Sequence, residues 1–203
     1  MGGGPSGVAC GIRLLHLGKS PLIVDSKSFP RTKLCAGLLT GKSKDTLRLL
    51  LGDEEAERLL SQARRGCDSR FALYHQSELL ASTEASAPIT TVDRPEMDAQ
   101  LIQHYKQMGG ALIEGDGVVE VDFEHKECTL HSGRKVGYGA LVVCDGAASH
   151  VEHLLAKHDK AFKPKTANAL CMEVNVDRED LPEAQGIGMY LGIVPDSYCW
   201  SFS

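Results

Sequence analysis

The sequence has no CxxC pair and no Cys/His group at metal-ligand spacing, and its seven cysteines, at positions 10, 35, 67, 128, 144, 171 and 199, are an odd number. A disulfide framework and a zinc site are thereby excluded as organising devices, and reduced thiols are expected. Cys10, Cys144 and Cys171 sit in apolar surroundings and read as core filler. Positive charge is not in excess: 22 Lys and Arg face 27 Asp and Glu, a net charge of -5. That balance offers no basic surface to nucleic acid, and the Arg64–Arg65 pair reads as a solvated helix end. No apolar run approaches the roughly 20 residues of a membrane span, and no charged start followed by an apolar stretch marks a signal peptide. The cytoplasm is the expected location. None of the eight histidines has a Ser or Cys neighbour in triad-like context, and there is no internal repeat. The remaining composition, 42% hydrophobic and 24% charged over 203 residues, is that of one large or two small globular domains.

What is present begins at the first residues. Gly2, Gly4 and Gly7 form a GxGxxG pattern enclosing Pro5 and Ser6, and Asp25 closes the apolar run Leu22, Ile23, Val24. In a dinucleotide-binding βαβ unit such glycines permit the turn, let backbone N–H groups approach a diphosphate, and let the helix pack on the sheet. Val8, Ile12, Leu15 and Leu17 supply an apolar face for that helix, whose N-terminus would receive the diphosphate. Asp25 stands where a carboxylate accepts hydrogen bonds from ribose hydroxyls. Together these features point to an ADP-containing cofactor.

Further along, Ser26 to Lys44 is a long loop rich in Lys, Arg, Ser and Gly, and Asp45 to Arg64 reads as a helix broken at Gly52. Two short strands are expected at Phe71 to His75 and Ile89 to Asp93, separated by Ser82 to Pro88. Met97, Leu101, Ile102 and Tyr105 recur at helical spacing after Arg94, until Gly109 and Gly110 stop the helix. Ala111 to Ile113 reads as a strand. Val118 to Phe123, Cys128 to His131 and Lys135 to Tyr138 read as a small antiparallel meander. The continuous apolar run Ala140 to Cys144 predicts a buried strand ending at Asp145 and Gly146. Leu170 to Val176, Gly188 to Val194 and Tyr198 to Phe202 predict strands of a second sheet.

Two separated motifs and their order resemble the flavoproteins with a para-hydroxybenzoate hydroxylase-type FAD domain, and within them the geranylgeranyl reductase family. The first motif is Gly2 to Gly7 with Asp25; the second is Leu141 to Cys144 running into Asp145, Gly146, Ala147, Ala148 and Ser149. Arg94, Asp98 and Leu101 match a pattern at the start of the family's central helix. Pro30, Arg31, Lys33, Cys35 and Gly37 are similar to the reductases' Pro-Arg-x-Lys-x-Cys-x-Gly loop, and Tyr198, Trp200 and Phe202 to an aromatic strand of their substrate sheet. The resemblance implies an α/β fold. A Rossmann-like FAD-binding domain with parallel sheet and antiparallel β-meander would occupy 1–66 and 93–160. Part of an antiparallel substrate-binding sheet would occupy 67–92 and 161–203.

It also implies FAD as cofactor, with NAD(P)H or another reductant as electron donor. The residues placed at the cofactor are Gly2, Gly4, Pro5, Ser6, Gly7, Asp25, Ser26, Arg31, Lys33, Arg94, Val118, Asp145, Gly146 and Ser149, with no metal. Cys35 is the candidate catalytic residue, in proton delivery or substrate gating. The implied reaction is hydride transfer from reduced flavin to a carbon–carbon double bond of an isoprenoid. Leu170, Met172, Val174, Met189, Leu191, Ile193 and Trp200 are candidates to line an apolar tunnel for that lipid, whose membrane would be touched only transiently. Alternatives are a flavin-dependent aromatic hydroxylase, a nicotinamide dehydrogenase, and a non-catalytic truncated fragment.

The sequence departs from the family in specific places. Asp25 replaces the usual Glu, Glu152 stands where related hydroxylases carry Arg, and Ser197 and Cys199 replace glycines. Only Met1 precedes Gly2, where the motif normally follows a buried strand, and the family's third motif, a Gly-Asp pair, is not reached. Five apolar residues buried at roughly 1.5–3 kcal/mol each rival a domain's whole net stability of ~5–15 kcal/mol. The expectation is a chain that folds only when another segment fills the central strand position and that binds flavin weakly.

Overall fold

Pro5 opens the first helix, α1 (Pro5–His16), with a fixed φ already suited to the first turn, and Arg13 and His16 lie in its last turn, where cations favour the dipole. A computed structural model describes residues 1–147, 149–163, 172, 174 and 186–202. The chain divides into two units, Met1–Lys33 with Asp98–Leu170, and Leu34–Met97 with Cys171–Ser203.

In the first unit, β1 (Leu22–Val24) pairs in parallel with β5 (Ala111–Ile113), Leu22 opposite Ala111. Helix α4 (Arg94–Gln107), whose first turn belongs to the second unit, supplies the core beside them: Leu101, Ile102 and Tyr105 are buried. The Tyr105 hydroxyl lies 2.7 Å from the Pro21 carbonyl and 3.0 Å from that of Ala111, the groups that head the two strands. Its one proton serves the nearer, and burial pushes the phenol up from its ordinary pKa. Helices α1 and α4 approach closely because Gly11 has no Cβ; one there would lie 2.8 Å from the Tyr105 ring. Val8 and Ile12 of α1 are buried, but Leu17 is 56% exposed, so the expected apolar face ends a turn early.

The meander forms as expected, with β6 (Val118–Asp122), β7 (Glu127–Leu130) and β8 (Lys135–Gly137) in an antiparallel sheet ordered β6-β7-β8. Its turns are held by carboxylates: Asp122 accepts from the backbone of Glu124 and His125, and Asp116 from the backbone and hydroxyl of Ser132. Cys128 is the buried thiol of this unit, whereas Cys10 and Cys144 are only half-buried; Cys171 lies outside the described residues. After the meander, Ala140 to Cys144 is not the buried strand expected: it joins no sheet, and Val142 and Val143 are 44% and 37% exposed. A strand needs a lateral partner, and among the described residues this segment finds one only at Met1. Helix α5 (His150–His158) follows, capped by the Ser149 hydroxyl, which accepts from the backbone of Glu152 at 3.0 Å.

The second unit holds a five-stranded sheet ordered β10-β9-β3-β4-β2, made of β2 (Leu38–Leu39), β3 (Arg64–His75), β4 (Glu78–Val92), β9 (Ile187–Leu191) and β10 (Tyr198–Phe202). Sequence reading gave two short strands where a single long hairpin exists. Ser82 to Glu84 pair with β3, but the register then shifts between Asp68 and Arg70 so that Ala85 to Pro88 bulge out unpaired, and this largely exposed stretch needs no apolar pattern. Gly52, at φ 82, separates α2 (Gly41–Leu51) from α3 (Asp53–Ala63), whose Ala56, Leu59, Leu60 and Ala63 are buried. Arg64 and Arg65 begin β3 instead of forming a free helix end: Arg65 holds Asp93 at 2.6 Å and depresses its carboxyl pKa. The strand expected at Leu170 to Val176 falls mostly outside the described residues; Met172 and Val174, expected to line a tunnel, are 81% and 62% exposed, and Ile193 is also exposed. Tyr74 and Tyr190 stack at 4.9 Å across β3 and β9.

Candidate cofactor site

The glycine-rich turn is built by exclusion of side chains. A Cβ on Gly7 would collide with the Gly2 carbonyl oxygen, and one on Gly2, at φ 89, with the Cys144 carbonyl oxygen. Only glycines let the turn fold this tightly against the segment that ends in Asp145. The two motifs thus meet directly: Met1 donates to the Val142 carbonyl at 2.7 Å, and the Cys144 amide donates to the Met1 carbonyl at 2.8 Å. On its other side the turn is tied to β1, with the Gly2 amide donating to the Val24 carbonyl at 2.8 Å.

Asp25 is buried and fastens the loop. Its Oδ2 accepts from the Gly3 amide at 2.6 Å and its Oδ1 from the Lys27 amide at 2.8 Å. Arg31 lies between two carboxylates, Nε 4.0 Å from Asp25 and one terminal nitrogen 4.0 Å from Asp98, with its guanidinium 5.1 Å from the centre of the Phe29 ring. Another measure places it at the turn: a Cβ on Gly4 would lie 3.3 Å from an Arg31 nitrogen. Arg31 therefore sets a cation beside the first turn of α1, and its Nε, buried, makes no hydrogen bond among the described residues.

These residues fit a dinucleotide. The first intrahelical bond of α1 runs from Val8 to the Gly4 carbonyl, so the amides of Ser6 and Gly7 remain for an anion, while Pro5 has none to leave unsatisfied. Asp145 supplies a second indication: its Oδ2 accepts from the Val151 amide at 3.3 Å, but its Oδ1 is buried without a hydrogen-bond partner among the described residues. A buried carboxylate oxygen left this way calls for a donor, whether hydroxyl, N–H or water.

Other expected site residues are placed as follows. Gly2, Gly4, Pro5, Ser6, Gly7, Asp25, Arg31, Asp145 and Gly146 belong to the first unit, within the two segments joined at Met1 or, for Asp25 and Arg31, the loop tied to them. Ser26 is exposed beside Gly117, whose Cβ would lie 2.8 Å from that of Ser26, and this contact sets Val118 at the entry of β6. Lys33 is exposed. Ser149 is occupied as the cap of α5. Cys35 and Arg94 belong to the second unit: Cys35 is exposed and its sulfur accepts from the Gly37 amide at 3.5 Å, while Arg94 opens α4. Sequence reasoning missed Asp98 as the buried partner of Arg31, and Phe29 as the ring beneath it. The helical position of Asp98, one residue after Met97 on a face otherwise apolar, was the available signal.

No family model matches the chain. Over its whole length it is 22% identical to an uncharacterised protein of Methanosarcina barkeri, covering 49% of that protein. Over 77% of its length it is 26% identical to a menaquinone reductase of Mycolicibacterium smegmatis, covering 39% of it. The chain thus spans half or less of the curated relatives it matches. Among solved structures, the halogenase PltM superposes with a TM-score of 0.64 at 21% identity over 76% of this chain and 35% of that one. PqsL of Pseudomonas aeruginosa, called a probable FAD-dependent monooxygenase, gives 0.61 at 18% over 78% and 44%. The oxygenase acting on 2-methyl-3-hydroxypyridine-5-carboxylic acid gives 0.61 at 17% over 73% and 39%. The chain carries the mixed α/β fold of the FAD-binding monooxygenases, with its parallel and antiparallel sheets.

Proposed function

We propose that the chain is the FAD-holding portion of a flavin-dependent oxidoreductase. The observation that carries this reading is the meeting of the Gly2–Gly7 turn with the Cys144–Asp145 segment at one end of α1, beside Asp25 and Arg31. In this arrangement the amides of Ser6 and Gly7 take the diphosphate, Arg31 offsets its charge, and Asp25 orients the loop while presenting a carboxylate at the ribose position. Asp145 Oδ1 receives a cofactor hydroxyl. Bound FAD would supply the redox chemistry; this chain supplies position and charge.

Two substrate readings follow. The similar solved structures are oxygenases and a halogenase, which favours a flavin-dependent hydroxylase or monooxygenase relative. Reduction of an isoprenoid double bond with electrons from NAD(P)H has the menaquinone reductase as its supporting relative, together with the Pro30–Gly37 loop. The test of the common reading is titration of the purified chain with FAD and with FMN, which lacks the AMP half and so the diphosphate. We expect FAD to bind at least tenfold more tightly; equal affinities would overturn it. Supplying reduced flavin with an unsaturated prenyl lipid, against oxygen with a phenol, and identifying the product separates the two substrate readings.

A further inference from the structure

Three charged side chains share the end of the glycine-rich turn, and their spacing is not that of a settled ion pair. Arg31 Nε lies 4.0 Å from Asp25 Oδ2, and a terminal nitrogen of the same guanidinium lies 4.0 Å from Asp98 Oδ2. Hydrogen bonds between a guanidinium and a carboxylate are usually about 2.7–2.9 Å long and often bidentate. Neither contact is one, and Nε is buried without a hydrogen bond among the described residues. Two negative charges thus stand beside one positive charge, all three largely removed from water.

Nothing at Asp25 itself keeps the cation away. Its oxygens accept one amide each, from Gly3 and Lys27, and an ionised carboxyl has about four lone-pair sites. Phe29 supports the guanidinium from one face, its ring centre 5.1 Å away, which sets the height over the ring and not the approach to Asp25. The remaining pull is that of Asp98, which acts over the same distance from another side of the guanidinium. Asp98 stands on α4 with its side chain 0% exposed, against 9% for Asp25. A fully enclosed charge is the costlier one to leave without the cation beside it, so Arg31 does not abandon Asp98 in order to close on Asp25.

We infer that Asp98 is a positioning residue of the cofactor site: it holds Arg31 off Asp25, so that the guanidinium stays uncommitted beside the turn. This rests on the flavin reading above. Held there, Nε and the terminal nitrogen that lies 3.3 Å from a Cβ built on Gly4 would meet the oxygens of a diphosphate seated on the amides of Ser6 and Gly7. Asp25 meanwhile keeps acceptor sites for a ribose hydroxyl. Were Arg31 to close on Asp25, a single contact would consume both the cation meant for the phosphates and the acceptor meant for the sugar. Asp98 touches no ligand in this arrangement and acts through Arg31 alone.

The experiment has one arm without cofactor and one with it. In the isotopically labelled full chain, the Arg31 Nε–H resonance is expected at the position of a guanidinium that makes no hydrogen bond, and Asp98→Asn should move it downfield as Nε closes on Asp25. In the second arm, Asp98→Asn should weaken FAD binding at least tenfold and leave FMN binding unchanged. After Arg31→Gln, the same substitution should change FAD affinity less than about twofold. A merely structural role for Asp98 predicts the same loss in both backgrounds, and that result overturns the inference. So does a resonance that Asp98→Asn leaves in place, or a parent Nε–H already at the position of a hydrogen-bonded group, which needs no variant to fold. A parent that binds FAD no better than FMN overturns the flavin reading and the cofactor role with it; the resonance then separately decides whether Asp98 holds Arg31.

Discussion

Asp25 is the most informative position to perturb, because its two oxygens accept from two backbone amides, Gly3 and Lys27, at 2.6 and 2.8 Å. Hydrogen bonds to a charged group contribute about 1.5–3 kcal/mol each. The two are not equal in consequence: Lys27 is exposed and its amide regains water when the carboxylate is lost, whereas the Gly3 amide is buried and does not. Asp25→Ala should therefore cost about 2–4 kcal/mol, more than the exposed bond alone and less than the sum. Asp25→Asn separates charge from shape. Both partners are donors, and an amide offers only one acceptor oxygen, so one N–H faces an NH2 group; the expected cost is about 1.5–3 kcal/mol. Equilibrium urea unfolding of the full chain at neutral pH, followed by far-UV circular dichroism, measures both. If Asp25→Asn matches the parent within about 0.5 kcal/mol, the carboxylate does not hold the turn and the loop's conformation has another cause.

Three further outcomes are expected. Tyr105→Phe removes the hydroxyl bond to the Pro21 carbonyl and should cost about 1–2 kcal/mol, against about 3–5 for Tyr105→Ala, which also opens a cavity beside Gly11; identical costs in urea unfolding would contradict the hydrogen-bond role. Gly7→Ala must displace the Gly2 carbonyl and should abolish any preference for FAD over FMN, while Gly41→Ala, with nothing within 4 Å of the added methyl, should leave it unchanged. Asp68, Asp93, Asp116 and Asp122 all have carboxyl pKa values held below the ordinary range, the first two by Arg70 and Arg65, the third by the hydroxyl and amide of Ser132, the fourth by the amide and ring of His125. Groups depressed in the folded state stabilise it above their unfolded pKa of about 4 and lose that contribution as pH falls through the folded values. A melting temperature flat from pH 7 to 5 and falling below about pH 4 is the expected profile; for Arg65→Ala the Asp93 part of that fall should shrink, the Glu96 amide keeping the remainder.

The sequence made the local elements legible and left their lateral partners obscure. The glycine turn, α1, the meander and α4 follow from glycine positions and helical or alternating spacing within a dozen residues, and all are present. The β3–β4 hairpin reads as two fragments because its exposed middle, Ser82 to Pro88, carries no burial pattern and its ladder breaks at a bulge where Ala85 to Pro88 go unpaired. Ala140 to Cys144 was read as a strand from composition, which records what a segment is suited to and not whether a neighbour is at hand. At the candidate site, Gly2, Gly7 and Asp25 are legible from the spacing of the glycine-rich turn, and Asp145 from the resemblance of its Asp-Gly motif to the family's. The Arg31–Asp98 pair is only half legible: Asp98 interrupts an apolar helix face, but nothing in the sequence ties it to Arg31 in a distant loop.

The parallel pairing of Leu22 with Ala111 has a consequence for synthesis. Residues Leu34–Met97 are made between these partners, so β1 leaves the ribosome well before the strand that completes it. The hairpin of β3 and β4 closes through a two-residue turn and needs nothing made later, whereas β1 must remain unsatisfied until α4 has delivered Tyr105 and the chain has turned at Gly110. Nascent chains should thus acquire order from the middle outward, with the earliest residues among the last to find their place.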